Sequence, residues 1–346
     1  MKTIVALLAL LAAAPAPAQQ SPAAVDIPAF TLPPSDQLSE EAKAVLLRMR
    51  TARAPDLGGD LAKQRAFYQK YNDDRLAEMR RHFRTREERA SLGGVAVDIV
   101  TPEAGIDPRN HDRVLINVHG GAFMWGAGSG ALVEAIPIAA TARIKVVTVD
   151  YRLTPEHRYP AASEDVSAVY RALLEHYRPE QIGIYGCSAG GIIAAQSVAW
   201  IRRQGLPRPG ALGTFCGTAA GFGGDSAYLA GPSAEGTAPP AGPLPPLLQT
   251  PYMAGVAADD AAAYPLLSEA EIESFPPTLL LAGSRDFAAS ALTLAHRRLA
   301  QAGVASQLFL FDGLPHAFFV WPDMPESTEA YRVIARFFDQ HLGGRE

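Results

Sequence analysis

The chemistry of this 346-residue chain concentrates in one pentapeptide, Gly186-Cys187-Ser188-Ala189-Gly190, its only Gly-x-Ser-x-Gly. An apolar run (IGIYG) precedes it and a small-residue helical pattern (AGGIIAAQSVAWI) follows. Strand, tight turn and helix in that order make a nucleophile elbow, which exposes one serine hydroxyl at the top of a sheet. A serine hydroxyl is a weak nucleophile until a base takes its proton, and three histidines follow Ser188: His296, His316 and His341. His296 sits inside a helical pattern beside two arginines, and His341 ends the last one, so both read as solvated. His316 falls in a loop (DGLPHAF) directly after an apolar strand and is the expected base. The acid that orients it is expected in the loop after the preceding strand, where Gly283-Ser284-Arg285 leads into Asp286. Asp312 is the rival, set aside because Asp312-Gly313 reads as turn chemistry.

Acyl chemistry also needs donors for an oxyanion. His119-Gly120-Gly121-Ala122 follows the apolar run RVLINV, and adjacent glycines let backbone approach a substrate oxygen. The expected hole is made by the N–H groups of Gly120, Gly121 and Ala189, the last at a helix N-terminus. His119 is expected to fix the loop rather than to react.

These residues need a scaffold that ends strands beside one another. Short β-branched or apolar runs recur at 95–100, 113–118, 145–149, 181–185, 212–215, 278–282 and 307–311, with helical patterns at 163–177, 189–204, 289–301 and 327–341. Strands alternating with helices imply a parallel sheet covered on both faces. The stretch 35–90 is dense in charges of both signs and reads as two or three amphipathic helices. The Pro- and Gly-rich stretch 221–267 is too long for a simple connection and reads as a cap insertion. The expected layout is a leader over 1–18, an N-terminal segment with cap helices over 19–90, and a catalytic domain over 91–346.

Hydrophobic residues make up 48% of the chain and charged residues 19%, enough for a large core; the net charge is −5. That balance argues against a nucleic-acid partner, whose footprint is usually basic. Lys2, the apolar run from Thr3 to Ala14, and Ala16-Pro17-Ala18 read as a secretory leader with its cleavage site, too short to span a bilayer. The expected mature protein is exported, periplasmic or secreted, without stable membrane insertion; a homodimer stays open. Cys187 and Cys216 are too few for a metal site. Both a pair of free thiols and a disulfide between the ends of adjacent strands remain open.

Together with the segment DYRLTPEHRYPAA (150–162), these motifs resemble the hormone-sensitive-lipase-like carboxylesterases of the α/β-hydrolase fold. The resemblance implies a mostly parallel eight-stranded sheet flanked by helices, a helical cap, and cofactor-free, metal-free hydrolysis of a small-molecule ester. Arg152 and Glu156 are expected as internal ion-pair partners bracing the elbow region. Two positions depart from the family pattern: Cys187 stands where Asp is usual, and Ala122 where Gly is frequent. Short- to medium-chain acyl esters are the expected substrates, because a cap carrying Phe67, Tyr68, Leu247, Leu248 and Tyr252 would limit the depth of the acyl pocket. Lactones or acetylated sugars are alternative substrates for the same triad. A non-catalytic binding protein on this scaffold, as the gibberellin receptors are, would be expected to lack a triad member.

Overall fold

Two helices come first, α1 (Glu40–Thr51) and α2 (Leu61–His82), each started by a side chain that accepts a backbone N–H: Ser39 from Ala42, and Asp60 from Lys63. The computed structural model describes Val25, 27–52 and 54–343; the leader expected over 1–18 lies outside the described residues. Residues 27–33 carry no regular structure, and Pro34 to the C-terminus forms one unit.

The helical reading of 35–90 fails at its end. β1 (Thr85–Leu92) pairs antiparallel with β2 (Val95–Pro102) across Gly93-Gly94. Both glycines have positive φ, 59° and 81°, as a two-residue hairpin turn of the favoured hand requires. The charged run TREER suits an edge strand, where exposed side chains discourage further pairing.

Beyond the hairpin the runs are apolar throughout. β3 (Val114–Val118) leads through α3 (Ser129–Ala142) to β4 (Lys145–Val149), then α4 (Ala161–Leu173), β5 (Ile182–Cys187), α5 (Ala189–Arg203) and β6 (Ala211–Phe215). The stretch 221–267 contains α6 (Asp225–Ala230), one π turn (Gly231–Glu235) and short 3-10 turns at Pro251–Met253 and Pro265–Leu267. After it come α7 (Glu269–Ile272), β7 (Thr278–Gly283), α8 (Ala289–Gln301), β8 (Ser306–Phe311) and α9 (Pro325–His341). The sheet order is β1-β2-β4-β3-β5-β6-β7-β8, with β3 to β8 mutually parallel and the hairpin antiparallel at one edge. This is the α/β-hydrolase architecture that the motifs implied.

α3 has no counterpart in the sequence reading. Ten of its fourteen residues are buried, so it lacks the polar face on which helical periodicity depends. Two cores cover the sheet. One packs α4, α5 and α8 through residues such as Val166, Tyr170, Ile193 and Leu292. The other packs α1, α2, α3 and α9 through Val45, Met79, Ile136, Ile334 and Phe338.

Candidate active site

The C-terminal ends of β3, β5, β7 and β8 deliver one residue or loop each to a common point. β5 runs into α5 through Ser188, whose φ of 58° is a strained value for a side-chain-bearing residue. The turn closes because Gly190 has no side chain: a Cβ there would lie 1.9 Å from the Val118 carbonyl oxygen. The Ser188 N–H donates to Phe215 O at 2.8 Å, which locks the elbow to β6.

His316, in the loop after β8, places Nε2 2.9 Å from Ser188 Oγ and Nδ1 3.0 Å from each carboxylate oxygen of Asp286. Asp286, after β7, is fully buried, and its Oδ1 accepts the Ala288 N–H at 2.8 Å. Phe287 stacks on the His316 ring with centroids 4.4 Å apart. The three residues singled out from their motifs thus meet in one hydrogen-bonded line. Asp312 lies off that line: it accepts from the Ser284 and Ser35 hydroxyls and organises the loop. His296 bonds Ser306 Oγ and His341 packs on Phe337.

The oxyanion loop differs from expectation at one donor. The Gly120 N–H donates to Glu134 Oε1 at 2.8 Å, so it is committed and does not face Ser188. Gly121, Ala122 and Phe123 then take positive φ in succession, 116°, 51° and 67°. The N–H groups of Gly121, Ala122 and Ala189 have no hydrogen-bond acceptor among the described residues. Ala122 therefore replaces Gly120 as the candidate second donor on this loop. His119 is buried with Nδ1–H donating to Gly120 O at 2.7 Å, and burial pushes its pKa down to about 4, which keeps it neutral. Tyr151 donates its hydroxyl to His119 O at 2.8 Å.

Glu134, on α3, escaped the sequence reading. It is 8% exposed, and burial pushes its carboxyl up to about 7 against the opposing pull of the Gly120 N–H, the Asn117 amide and the Cys187 N–H. No motif marks it; its only sequence signal is a lone acid in an otherwise apolar helix.

Arg152 and Glu156 both form ion pairs, but not with each other. Arg152 binds Asp165 and Glu164 on α4. Glu156 holds Arg65 of α2 in a bidentate pair at 2.7 Å, and Arg65 Nε donates to Met124 O beside the oxyanion loop. Cys187 and Cys216 are both free and buried. The Cys216 sulfur, the Asp286 carboxylate and the His316 ring present ligand atoms within 4.8 Å of one another. Burial pushes the thiol up, though, and disfavours the thiolate that a metal would need. Asp286 and His316 are moreover bonded to each other.

Two cavities meet at Ser188. The larger, about 380 Å³, holds His316 and is walled by Tyr68, Trp125, Trp321, Asn72 and Arg75. The smaller, about 160 Å³, is walled by Ile192, Phe222, Leu248 and Ala291. Of the cap residues named from sequence, Tyr68 and Leu248 reach these cavities. Tyr252 is instead buried against Phe123, and Phe67 packs edge-on to Tyr68. No helix among the described residues is long and apolar enough to cross a membrane.

A family model described as an alpha/beta hydrolase fold matches residues 115–320. An acetyl-hydrolase of Streptomyces hygroscopicus is 30% identical over 75% of this chain and 88% of its own length. A putative acetyl-hydrolase of Mycobacterium tuberculosis, LipR, is 35% identical, over 38% of this chain and 42% of that protein. Among solved structures, esterase E25 superposes with a TM-score of 0.78 at 28% identity, covering 92% of this chain and 99% of that one. An esterase of the bacterial hormone-sensitive lipase family superposes at 0.74, with 24% identity over 88% of this chain and 99% of that one.

Proposed function

Because this chain belongs to the alpha/beta-hydrolase fold family, among its hormone-sensitive-lipase-like carboxylesterases, we propose that it cleaves short-acyl esters with Ser188 as nucleophile, His316 as base and Asp286 as orienting acid. The observation that carries this reading is the line Ser188 Oγ–His316 Nε2–Asp286 at 2.9 and 3.0 Å. Ser188 Oγ attacks the ester carbonyl carbon while His316 Nε2 takes its proton. The oxyanion settles against the N–H groups of Gly121, Ala122 and Ala189. As the tetrahedral adduct collapses, the carbonyl–alkoxy bond breaks and His316 returns the proton to the leaving alcohol. Water, deprotonated by the same ring, then cleaves the acyl-enzyme and frees the acid. Asp286 holds the ring in the required tautomer and stabilises the imidazolium. Each step uses only the chain's own groups and water.

The leaving alcohol must lie where His316 can protonate it, so it takes the larger cavity and the acyl group takes the smaller. If a methylene displaces about the volume of a water molecule, ~30 Å³, the smaller cavity takes roughly five carbons. The acetyl-hydrolase names of the two relatives agree with a short acyl group. The larger cavity's aromatic walls also suit ring-bearing alcohols, acetylated sugars included. Helices α1 and α2 together with 221–267 act as the cap. We further propose that the chain is exported; a mature N-terminus at Gln19, read by mass spectrometry of the secreted or periplasmic fraction, checks this.

Ser188→Ala tests the nucleophile. The variant is expected to fold, to lose labelling by a fluorophosphonate, and to lose about 10⁶ in kcat on nitrophenyl butanoate. Retention of more than a few per cent of activity would exclude Ser188 as nucleophile.

A further inference from the structure

Glu134 is a buried carboxylate that the mechanism above does not use, and it lies against the oxyanion loop at the wall of the larger cavity. We propose that Glu134 is a positioning residue for the oxyanion hole, holding the first peptide of the loop so that the donors after it face Ser188; this rests on the esterase reading of the site. Three observations carry it. Glu134 Oε1 accepts the Gly120 N–H at 2.8 Å, which turns that peptide away from the nucleophile. Gly120 itself is pressed against the elbow: a Cβ there would lie 2.9 Å from Cys187 O and 3.3 Å from Ser188 Cβ. Oε2 accepts the Asn117 side-chain amide at 3.1 Å, so one carboxylate ties α3, β3 and the loop together.

The loop has reason to need such a tie. Gly121, Ala122 and Phe123 occupy the left-handed region in succession, and two of them carry side chains that disfavour it. A segment of that kind persists only when its ends are fixed. Thr154 N–H fixes the far end by donating to Phe123 O at 2.9 Å, and Phe123 stacks on Tyr252 at 4.6 Å. Glu134 fixes the near end. His119 Nδ1–H holds the next peptide through Gly120 O, but without Glu134 the Gly120 N–H loses its acceptor, and the aim of the donors at Gly121 and Ala122 loosens. A misaimed donor is felt when charge develops on the substrate oxygen, not when the neutral ester binds.

What positions the loop is the reach of an acceptor, not the negative charge. Glu134→Gln keeps the acceptor: its amide oxygen takes the Gly120 N–H. Its amide nitrogen has a waiting partner in Asn117 Oδ1, a buried atom with no hydrogen-bond partner among the described residues, once the Asn117 amide flips. Glu134→Asp keeps the charge but withdraws it by one methylene. Glu134→Leu keeps the bulk and has no acceptor.

Kinetics on nitrophenyl butanoate, with affinity for a trifluoromethyl ketone that forms an oxyanion adduct on Ser188, provide the test. Gln is expected to stay within about threefold of wild-type kcat. Asp and Leu are expected to fall about 10- to 100-fold in kcat, approaching the loss of one oxyanion donor, with KM within threefold and the ketone weakened in parallel with kcat. A merely structural role would not split kcat from KM in this way. Two results overturn the proposal: Asp or Leu keeping kcat within threefold, or Gln losing as much as Asp, which would make charge the active property. If Leu does not fold, the order of Gln and Asp still decides. Failure of the esterase reading is separate: it appears as a wild-type chain without esterase activity, or as undiminished turnover in Ser188→Ala, whatever the Glu134 series does.

Discussion

Two buried residues at the oxyanion loop titrate in opposite senses. Burial pushes the Glu134 carboxyl up to about 7, against roughly 4.3 in an unfolded chain. Between those values the folded chain keeps a proton that the unfolded chain has released, so this group's contribution falls as pH rises, and is lost above about 7. Burial holds His119 near 4, against roughly 6.5 unfolded. Between 4 and 6.5 the unfolded chain binds a proton that the folded one does not, so this contribution rises with pH. Each is worth on the order of 3 kcal/mol across its window, and they oppose one another from about pH 4.5 to 6.5. Glu134→Gln removes the first alone. The variant is expected to match the wild type in Tm at pH 4 and to become progressively more stable than it up to about pH 7.5. Thermal melts across that range check it; a Tm difference that does not change with pH would show that Glu134 is not held protonated by the fold.

At the scale of elements, Arg65 ties helix α2 to the chain beside the oxyanion loop. Arg65 of α2 donates to Met124 O at 2.9 Å and to Thr154 O at 3.1 Å, while Glu156 holds the other side of the guanidinium. The ion pair is largely solvent-exposed and worth little by itself; one carbonyl bond ties α2 to the chain beside the oxyanion loop, and the other ties it to the 150–162 segment, whose Thr154 N–H holds Phe123 O. Arg65→Ala is therefore expected to lower both Tm and kcat, and Glu156→Ala to do distinctly less, since Arg65 keeps its carbonyl partners. Equal losses in the two variants would assign the effect to the ion pair. The elements that sequence revealed are those whose local pattern agrees with their final environment. β3 to β7 are apolar runs buried on both faces, β8 is a run at the sheet edge with Phe309 and Leu310 exposed, and the Ser188, Asp286 and His316 loops follow β5, β7 and β8. Two elements escaped for opposite reasons. β1 carries almost nothing but polar residues and owes its strand to pairing with β2; Gly93-Gly94 between 85–92 and 95–102 was the available hairpin signal. α3 is apolar all round, so periodicity says nothing about it. Glu134 lies on α3, and motif reasoning that lacks it directs the Gly120 N–H into the hole. A donor's direction depends on what stands behind it, and the residue behind Gly120 is fourteen positions away on an element the pattern did not reveal.

At the scale of the molecule, the site is a junction between layers of different rigidity. The larger cavity is walled by α2 and by the loops after β3 and β8. The smaller one lies between α5, α8 and the irregular 221–267 stretch. Ile192 is the large wall residue on α5, one turn beyond Ser188, so it moves little relative to Ser188. Phe222 and Leu248 lie on irregular chain, where a changed side chain is more easily absorbed by backbone shifts. On the acyl placement proposed above, the chain-length limit is set chiefly at Ile192. The wild type is expected to hydrolyse butanoate esters faster than octanoate and far faster than palmitate esters. Ile192→Ala removes three carbons from the fixed wall and is expected to move the optimum from four carbons to about six or eight, at about the volume of a water molecule per carbon. Ile192→Phe is expected to restrict turnover to acetate. A nitrophenyl ester series from two to sixteen carbons, compared by kcat/KM, checks all three. An optimum that stays put in both Ile192 variants would place the acyl group in the larger cavity, and would exchange the acyl and alcohol positions around His316.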